Sequence, residues 1–518
     1  MIDGAQRRSG PRSRGEGATS RTPGPAEPAD RPGRPAHPTA PRWLRPPGLV
    51  PWLALALLIT GAPAPALAQD TTDRPLPNPI ETEEGLVVVD VVDFARIPDH
   101  PNGPARMMVL FDEPATERLF VNDMWGPIWW VSYDGSRVAQ YVDIDDPRWG
   151  VGVNASGRER GFQSFAFHPE FGVSGAPGEG RFYTWTDVRD NESPADFRPG
   201  GGNNTHHTVL HEWRAEDPLA ETYDGGPPRE LIRKEQPFGN HNAGLITFHP
   251  RAEPGDPEYG LLYIGSADGG SGGDPLNLAQ DLGQVFGKIL RIDPLGSDSR
   301  NGRYGIPADN PFVDDPGALD EIYAYGMRNP QRFGWDPANG NMFVAEIGQN
   351  IVEWVSRVTP GGNMGWNDWE GSFGFISRSE VSLEAPRSDP GVNYPVVEYS
   401  RHDPLMADRV AATGIHVFRE GRFPGLEGRV LFGDFVAGEI LHFDADHLPE
   451  GGTEGIRRVL LRHQGQVSTF LELIRARNVE QGREPSGRTD LRFGTGPDHR
   501  FFLLNKHDGW VREVVPGR

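Results

Sequence analysis

The sequence predicts an all-β fold, a six-bladed β-propeller with four-stranded antiparallel blades. Two observations carry this. Beyond residue 69 the chain holds few helical patterns and many short apolar runs separated by Gly, Pro and Asp. These runs also recur as a unit: an apolar strand, a turn with Pro and Gly or Asp, a second strand, then a third. Repeats of this size in one chain are the signature of a propeller, whose blades bury both faces against neighbours around a central channel.

The elements follow in order. Residues 1–47 are dense in Pro, Gly, Ala and Arg without apolar periodicity. They bury too little surface to offset their ordering entropy and are predicted to be a disordered leader. Residues 48–68 set a short apolar core after Arg42 and Arg45 and end in Ala66-Leu67-Ala68, a small-x-small pattern. That pattern predicts a secretory signal peptide, and Pro63 and Pro65 argue against a spanning helix. The protein is therefore expected to be exported, periplasmic or secreted, with no stable membrane span after cleavage.

Residues 69–518 hold the repeats. They read RMMVLFDEPATERLFVNDMWGPIWWVSYDG, then GFQSFAFHPEF with GRFYTWTD and HTVLHEWRA, then GLITFHPRAEPGDPEYGLLYIGSAD with GKILRIDP. RFGWDPANGNMFVAEIG with EWVSRVTP follows, then GIHVFREGRFPGLEGRVLFGDFVAGEILHFDAD and DLRFGTGPDHRFFLLNKHDGWVREVVP. The run IVEWVSRV is β-branched enough to favour a strand. The absence of cysteine rules out disulfides, thiolate nucleophiles and Cys-ligated metals, so a large core must hold an exported fold unaided. The formal net charge is −22, and the leader's nine arginines against four acids leave the remainder more acidic still. Such a surface repels nucleic acid and anionic lipid and suits hard cations and neutral substrates.

The stretches that break the strand pattern fall at matching places: RERGFQS, FGNHNAG and GMRNPQR each precede the first strand of a unit. Loops entering successive blades converge on one channel mouth, which predicts that Glu159, His241 and Arg328 meet. Neutral His241 can accept a proton, and its neighbours Asn240 and Asn242 can fix its ring or bind a polar ligand. Arg328, followed by Asn329, offers a fork of donors for a carboxylate or developing oxyanion. His168 and His249 occupy equivalent HP turns, and their repetition argues for a turn role. The loop Asp268–Asp274 has two carboxylates but lacks EF-hand spacing. Gly348 and Gln349, in AEIGQN at the end of an inner strand, could aim carbonyls into the channel.

In order and spacing, ERGFQSFAFHPEF, NHNAGLITFHP, ADGGSGGDPLNLAQDLGQVFGKILRIDP, EIYAYGMRNPQRFGWDP and AEIGQNIVEWVSRVTPGGNMGWNDWEG resemble the soluble glucose/sorbosone dehydrogenases. These are pyrroloquinoline quinone (PQQ)-dependent propellers with non-enzymatic relatives in the Hedgehog-interacting protein group, and the resemblance covers roughly residues 80–515. It implies PQQ and Ca²⁺ at the channel mouth and oxidation of a small-molecule sugar. His241 falls on the general base and Arg328 and Asn329 on contacts to the quinone and substrate. Gly348 and Gln349 fall on the calcium-binding carbonyls. Glu159, Asn240 and Gly269 fall on cofactor-side positions, and Arg492, with Arg488, maps loosely onto a clamp for the cofactor's carboxylates. Val436 stands where some members carry a lysine, and Lys506 lies in the following blade. Without cysteine no haem can be attached, so electrons would leave to an external acceptor. Two alternatives stand beside this one: a propeller that binds a polysaccharide or protein without catalysis, and a calcium hydrolase of the lactonase kind. The latter needs several side-chain carboxylate and amide ligands that the motifs do not supply.

Overall fold

The computed structural model describes residues 70–242, 244–406 and 410–517. The predicted leader and signal peptide, residues 1–68, lie outside them. Runs of four antiparallel strands succeed one another along the chain. The first joins Met107–Glu113, Arg118–Asp123, Pro127–Ser132 and Val138–Asp143. The second joins Phe162–Phe167, Arg181–Val188, His206–Arg214 and Arg229–Gln236, and the third Ile246–Phe248, Leu262–Ser266, Lys288–Ile292 and Ile322–Tyr325. The fourth joins Pro330–Trp335, Met342–Glu346, Val352–Val358 and Val397–Ser400. A fifth run spans Ala412–Phe418, Arg429–Asp434, Ile440–Asp444 and Arg457–His463. The last, Arg492–Thr495, Phe501–Leu504 and Trp510–Val515, takes its fourth strand from Val87–Arg96 at the other end of the described chain. That strand pairs antiparallel with Trp510–Val515 and parallel with Arg457–His463.

The strands are buried along both faces because each sheet is covered on both. Leu262–Ser266 and Lys288–Ile292 are buried at every position. Apolar clusters straddle neighbouring sheets. Phe120 and Trp130 of the first pack with Phe165, Phe182 and Trp213 of the second. Phe343 and Val355 of the fourth pack with Phe432 and Leu441 of the fifth. Val89 and Val91 join Leu461, Leu503 and Val514, and Leu110 and Val121 join Phe502 and Val511. Each large side chain buried in these seams contributes about 1.5–3 kcal/mol. The first strands of successive sheets lie side by side: Met107–Glu113 contacts Phe162–Phe167 and Arg492–Thr495, and Pro330–Trp335 contacts Ala412–Phe418.

A helix, Phe470–Glu480, starts at a capping box in which Thr469 and Glu472 exchange hydrogen bonds. The 369–395 insertion forms Trp369–Glu370, Phe373–Phe375 and Val381–Ser382, which make a small sheet with Thr71–Thr72. Among the described residues no helix is long and apolar enough to cross a membrane.

Candidate active site

Strands alternate in direction, so the start of each first strand and the end of each second strand lie at the same end of a sheet. Loops of both kinds line a cavity of about 290 Å³. Those entering first strands contribute Glu159, His241, Arg328 with Asn329, and Arg488, Asp490 and Arg492; those leaving second strands contribute Gly348 with Gln349, Val436 and Lys506. Convergence of Glu159, His241 and Arg328, expected from the repeat, is what the geometry shows. The sequence reading put Gly348 and Gln349 at the end of an inner strand; they follow the second strand, Met342–Glu346, and still reach the mouth.

His241 sits in the left-handed region, φ 53°, and its backbone N–H donates to Glu159 Oε2 at 2.8 Å. Its Nδ1 lies 2.7 Å from Asp268 Oδ1. A carboxylate only accepts, so Nδ1 carries a proton, and in the neutral ring Nε2 is the nitrogen with the free lone pair. Asp268 is itself held by the indole N–H of Trp366 at 3.0 Å and the Gly270 N–H at 2.9 Å. The Arg328 guanidinium lies over the Trp366 ring, 5.5 Å from its centroid, and donates to the Ile347 carbonyl at 2.7 Å. The backbone N–H groups of Arg328 and Asn329 both donate to Glu346 Oε2, at 2.8 and 3.2 Å. Burial pushes the Glu346 carboxyl up to about 8, against the pull of those two donors.

Two expected cofactor-side residues do not line the cavity. Asn240 turns its amide oxygen back to the Ser271 N–H at 3.0 Å, and Gly269 packs against Pro237 and Phe286. Neither carboxylate of the 268–274 loop is free for a cation. Asp268 holds His241, and Asp274 accepts the N–H groups of Leu278 and Ala279. The amide of Asn242 is buried without a partner among the described residues. His168 and His249 play the expected turn role: Nδ1 of each accepts the backbone N–H two residues on.

Lining residues that the strand pattern does not single out include Arg158, Arg401, Asp490 and Glu353. Glu353 is the one that holds two loops. It is buried, its carboxyl is pushed well up by desolvation, and it accepts the N–H groups of Gly348 and Ala412 at 3.2 and 2.8 Å. Its signal was the one acid in the strand VEWVSRV. Gly348 admits no side chain, because a Cβ there would fall 1.7 Å from the Val352 carbonyl oxygen. The carbonyls of Gly348 and Gln349 receive no hydrogen bond from the described residues. No cluster of three or more His, Cys, Asp or Glu able to hold a metal occurs among the described residues. The 369–395 insertion packs beside the mouth, with Phe375 against Trp366 and the Asn350 amide donating to the Arg378 carbonyl, and lends no residue to the lining. At the opposite ends of the same strands lies another cavity, walled by Phe111, Phe333, Trp335 and Phe493, with none of the expected site residues.

Four-stranded sheets set side by side, with a polar, cation-rich cavity where their loops meet, define a β-propeller with one elaborated mouth. Within that class the chain belongs to the glucose/sorbosone dehydrogenase family, whose model matches residues 115–486. It is 32% identical over 315 residues to the HIPL1 protein of Arabidopsis thaliana, covering 53% of this chain and 43% of that one. To aldose sugar dehydrogenase YliI of Escherichia coli (strain K12) it is 27% identical over 283 residues, covering 54% and 61%. The chain thus spans about half the length of these curated relatives. The PQQ-bound aldose sugar dehydrogenase of Streptomyces coelicolor superposes with a TM-score of 0.51 at 21% identity, over 82% of this chain and 97% of that one. The apo aldose sugar dehydrogenase of E. coli gives 0.55 at 18%, over 83% and 100%. These solved structures share the propeller fold.

Proposed function

We propose that the chain is a six-bladed propeller that oxidises a sugar hydroxyl with PQQ and Ca²⁺ and passes the electrons to an external acceptor. One observation carries this reading: His241, oriented by Asp268, and Arg328 line the same open cavity. The blade count is supported by the successive four-stranded runs, the last completed by Val87–Arg96.

The residues present fit a polyanionic quinone. Arg328 and Arg492 each bury an Nε without a partner among the described residues, and Arg158, Arg401, Arg488 and Lys506 share the lining. The lysine replaced by Val436 therefore has cationic substitutes nearby. Arg492 would face the cofactor's carboxylates, with its Nη2 held by Gln331 Oε1 at 2.9 Å. Gly348 and Gln349 would offer carbonyls to Ca²⁺, which supplies positive charge beside the quinone oxygens. When bound, PQQ would supply the two-electron acceptor for the hydride on the sugar's carbon. His241 Nε2 takes the hydroxyl proton, and Asp268 stabilises the imidazolium that forms. Arg328 and Asn329 orient the reacting oxygens, and Glu346 fixes the backbone that presents them. We propose as well that residues 48–68 export the protein.

The test adds PQQ and Ca²⁺ to purified protein and follows the quinone spectrum as aldoses are supplied. Sugar-dependent reduction that vanishes in His241→Ala is expected. Folded protein that binds no PQQ would sink the reading. It would leave the binding-only propeller, which Val436 favours.

A further inference from the structure

We propose that the sugar oxidised here is anionic, a hexuronate or a sugar phosphate, and that a groove beside the catalytic cavity holds its charged group. This rests on the reading just given and names its substrate class. The groove opens off the cavity and shares Arg158, Arg488, Asp490 and Lys506 with it. Its outer part adds Asn102, Trp125, Arg106 and His507. In a chain of net charge −22, this lining gathers four basic side chains around one carboxylate.

That carboxylate is already engaged. Asp490 pairs with Arg488 at 2.5 Å and with His507 at 2.9 Å. Three basic side chains remain without an ion pair. Lys506 is only 8% exposed and makes no hydrogen bond to the described residues. Arg158 is exposed and its guanidinium likewise has no partner there. Arg106 donates only to the carbonyls of Ala155 and Arg158, at 3.3 and 2.8 Å. Trp125 holds its guanidinium: Cζ lies 5.1 Å from the indole centroid, and His100 stacks on the same ring at 5.2 Å. Burial, together with the charges of Arg492, Arg106 and Arg488, holds the Lys506 ammonium well below its ordinary value. A cluster of this kind is destabilised by its own repulsion until an anion enters. Arg328, Arg401 and Arg492 line the cavity but not the groove, so the cofactor keeps cations of its own when the groove is filled. The groove is placed to receive the far end of a substrate whose hydroxyl faces His241.

Galacturonate and galactose differ in one charged group and make the direct comparison, with glucose 6-phosphate separating phosphate from carboxylate recognition. With the PQQ- and Ca²⁺-loaded enzyme, the anionic sugar is expected to have at least a tenfold higher kcat/KM than galactose, a preference that shrinks as ionic strength rises. Arg106→Gln should erase most of it through KM, and Arg106→Lys should restore it. Equal turnover of galactose and both anionic sugars would overturn the proposal. So would an Arg106→Gln defect in PQQ affinity alone, since the groove would then belong to the cofactor. If the protein takes up no PQQ, calorimetric titration of galacturonate, glucose 6-phosphate and galactose still decides the groove: no preference for an anion overturns it.

Discussion

At the scale of single residues, the site is a chain of supports that ends on one nitrogen. Asp268 fixes the tautomer of His241, and Trp366 fixes Asp268 while also flooring Arg328. Asp268→Asn leaves the shape but can hold the imidazole in the wrong tautomer. The expected result in the loaded enzyme is a loss of at least about a hundredfold in kcat with little change in KM. Gly348→Ala, with no room for a methyl beside the Val352 carbonyl, should weaken Ca²⁺-dependent PQQ binding at least tenfold, read by spectral titration. Much of this was legible beforehand. His241 and Arg328 announced themselves by breaking the strand pattern at repeated positions. The partnerships were not. Asp268 stands 27 positions from His241, and Glu346 acts on the backbone of the Arg328 loop from 18 positions away. Side-chain aim at that range is set by packing, which no local pattern encodes. Asn240 misled for the same reason: its amide serves the neighbouring loop.

At the scale of elements, the strands were readable because repeated apolar runs between turn residues survive in any context. The origin of the last sheet's fourth strand was not readable. Val87–Arg96 pairs with Trp510–Val515, and nothing in either segment names the other. A chain beginning after Arg96 leaves two sheet edges unpaired and strips Val89 and Val91 from their apolar seam. It is expected to lose cooperative unfolding by circular dichroism, whereas a chain beginning at residue 70 should melt sharply. The helix offers a finer measurement. Thr469→Ala removes the reciprocal cap and should cost about 1 kcal/mol in urea unfolding, with activity unchanged.

At the scale of the molecule, the core imposes its own pH dependence. Burial holds His168, His207, His211, His416 and His442 down at about 4. These rings are neutral in the fold, whereas in the unfolded chain they gain a proton near 6.5. The unfolded state thus binds more protons between those values, so stability falls as pH drops from about 6.5 toward 4. Each ring contributes up to about 1.4 kcal/mol per pH unit. Urea midpoints should fall steeply across that range, and His211→Phe should flatten part of the slope. A slope unchanged in that variant would remove His211 from the account.

Because the sheet that begins with Arg492–Thr495 is finished by a strand from the opposite end of the chain, the ring has a clasp whose halves leave the ribosome hundreds of residues apart. Until Arg457–His463 and then Trp510–Val515 emerge, Val87–Arg96 is a strand with both edges open, and the circle of sheets stays incomplete. A polypeptide built this way reaches its native state only after synthesis is complete.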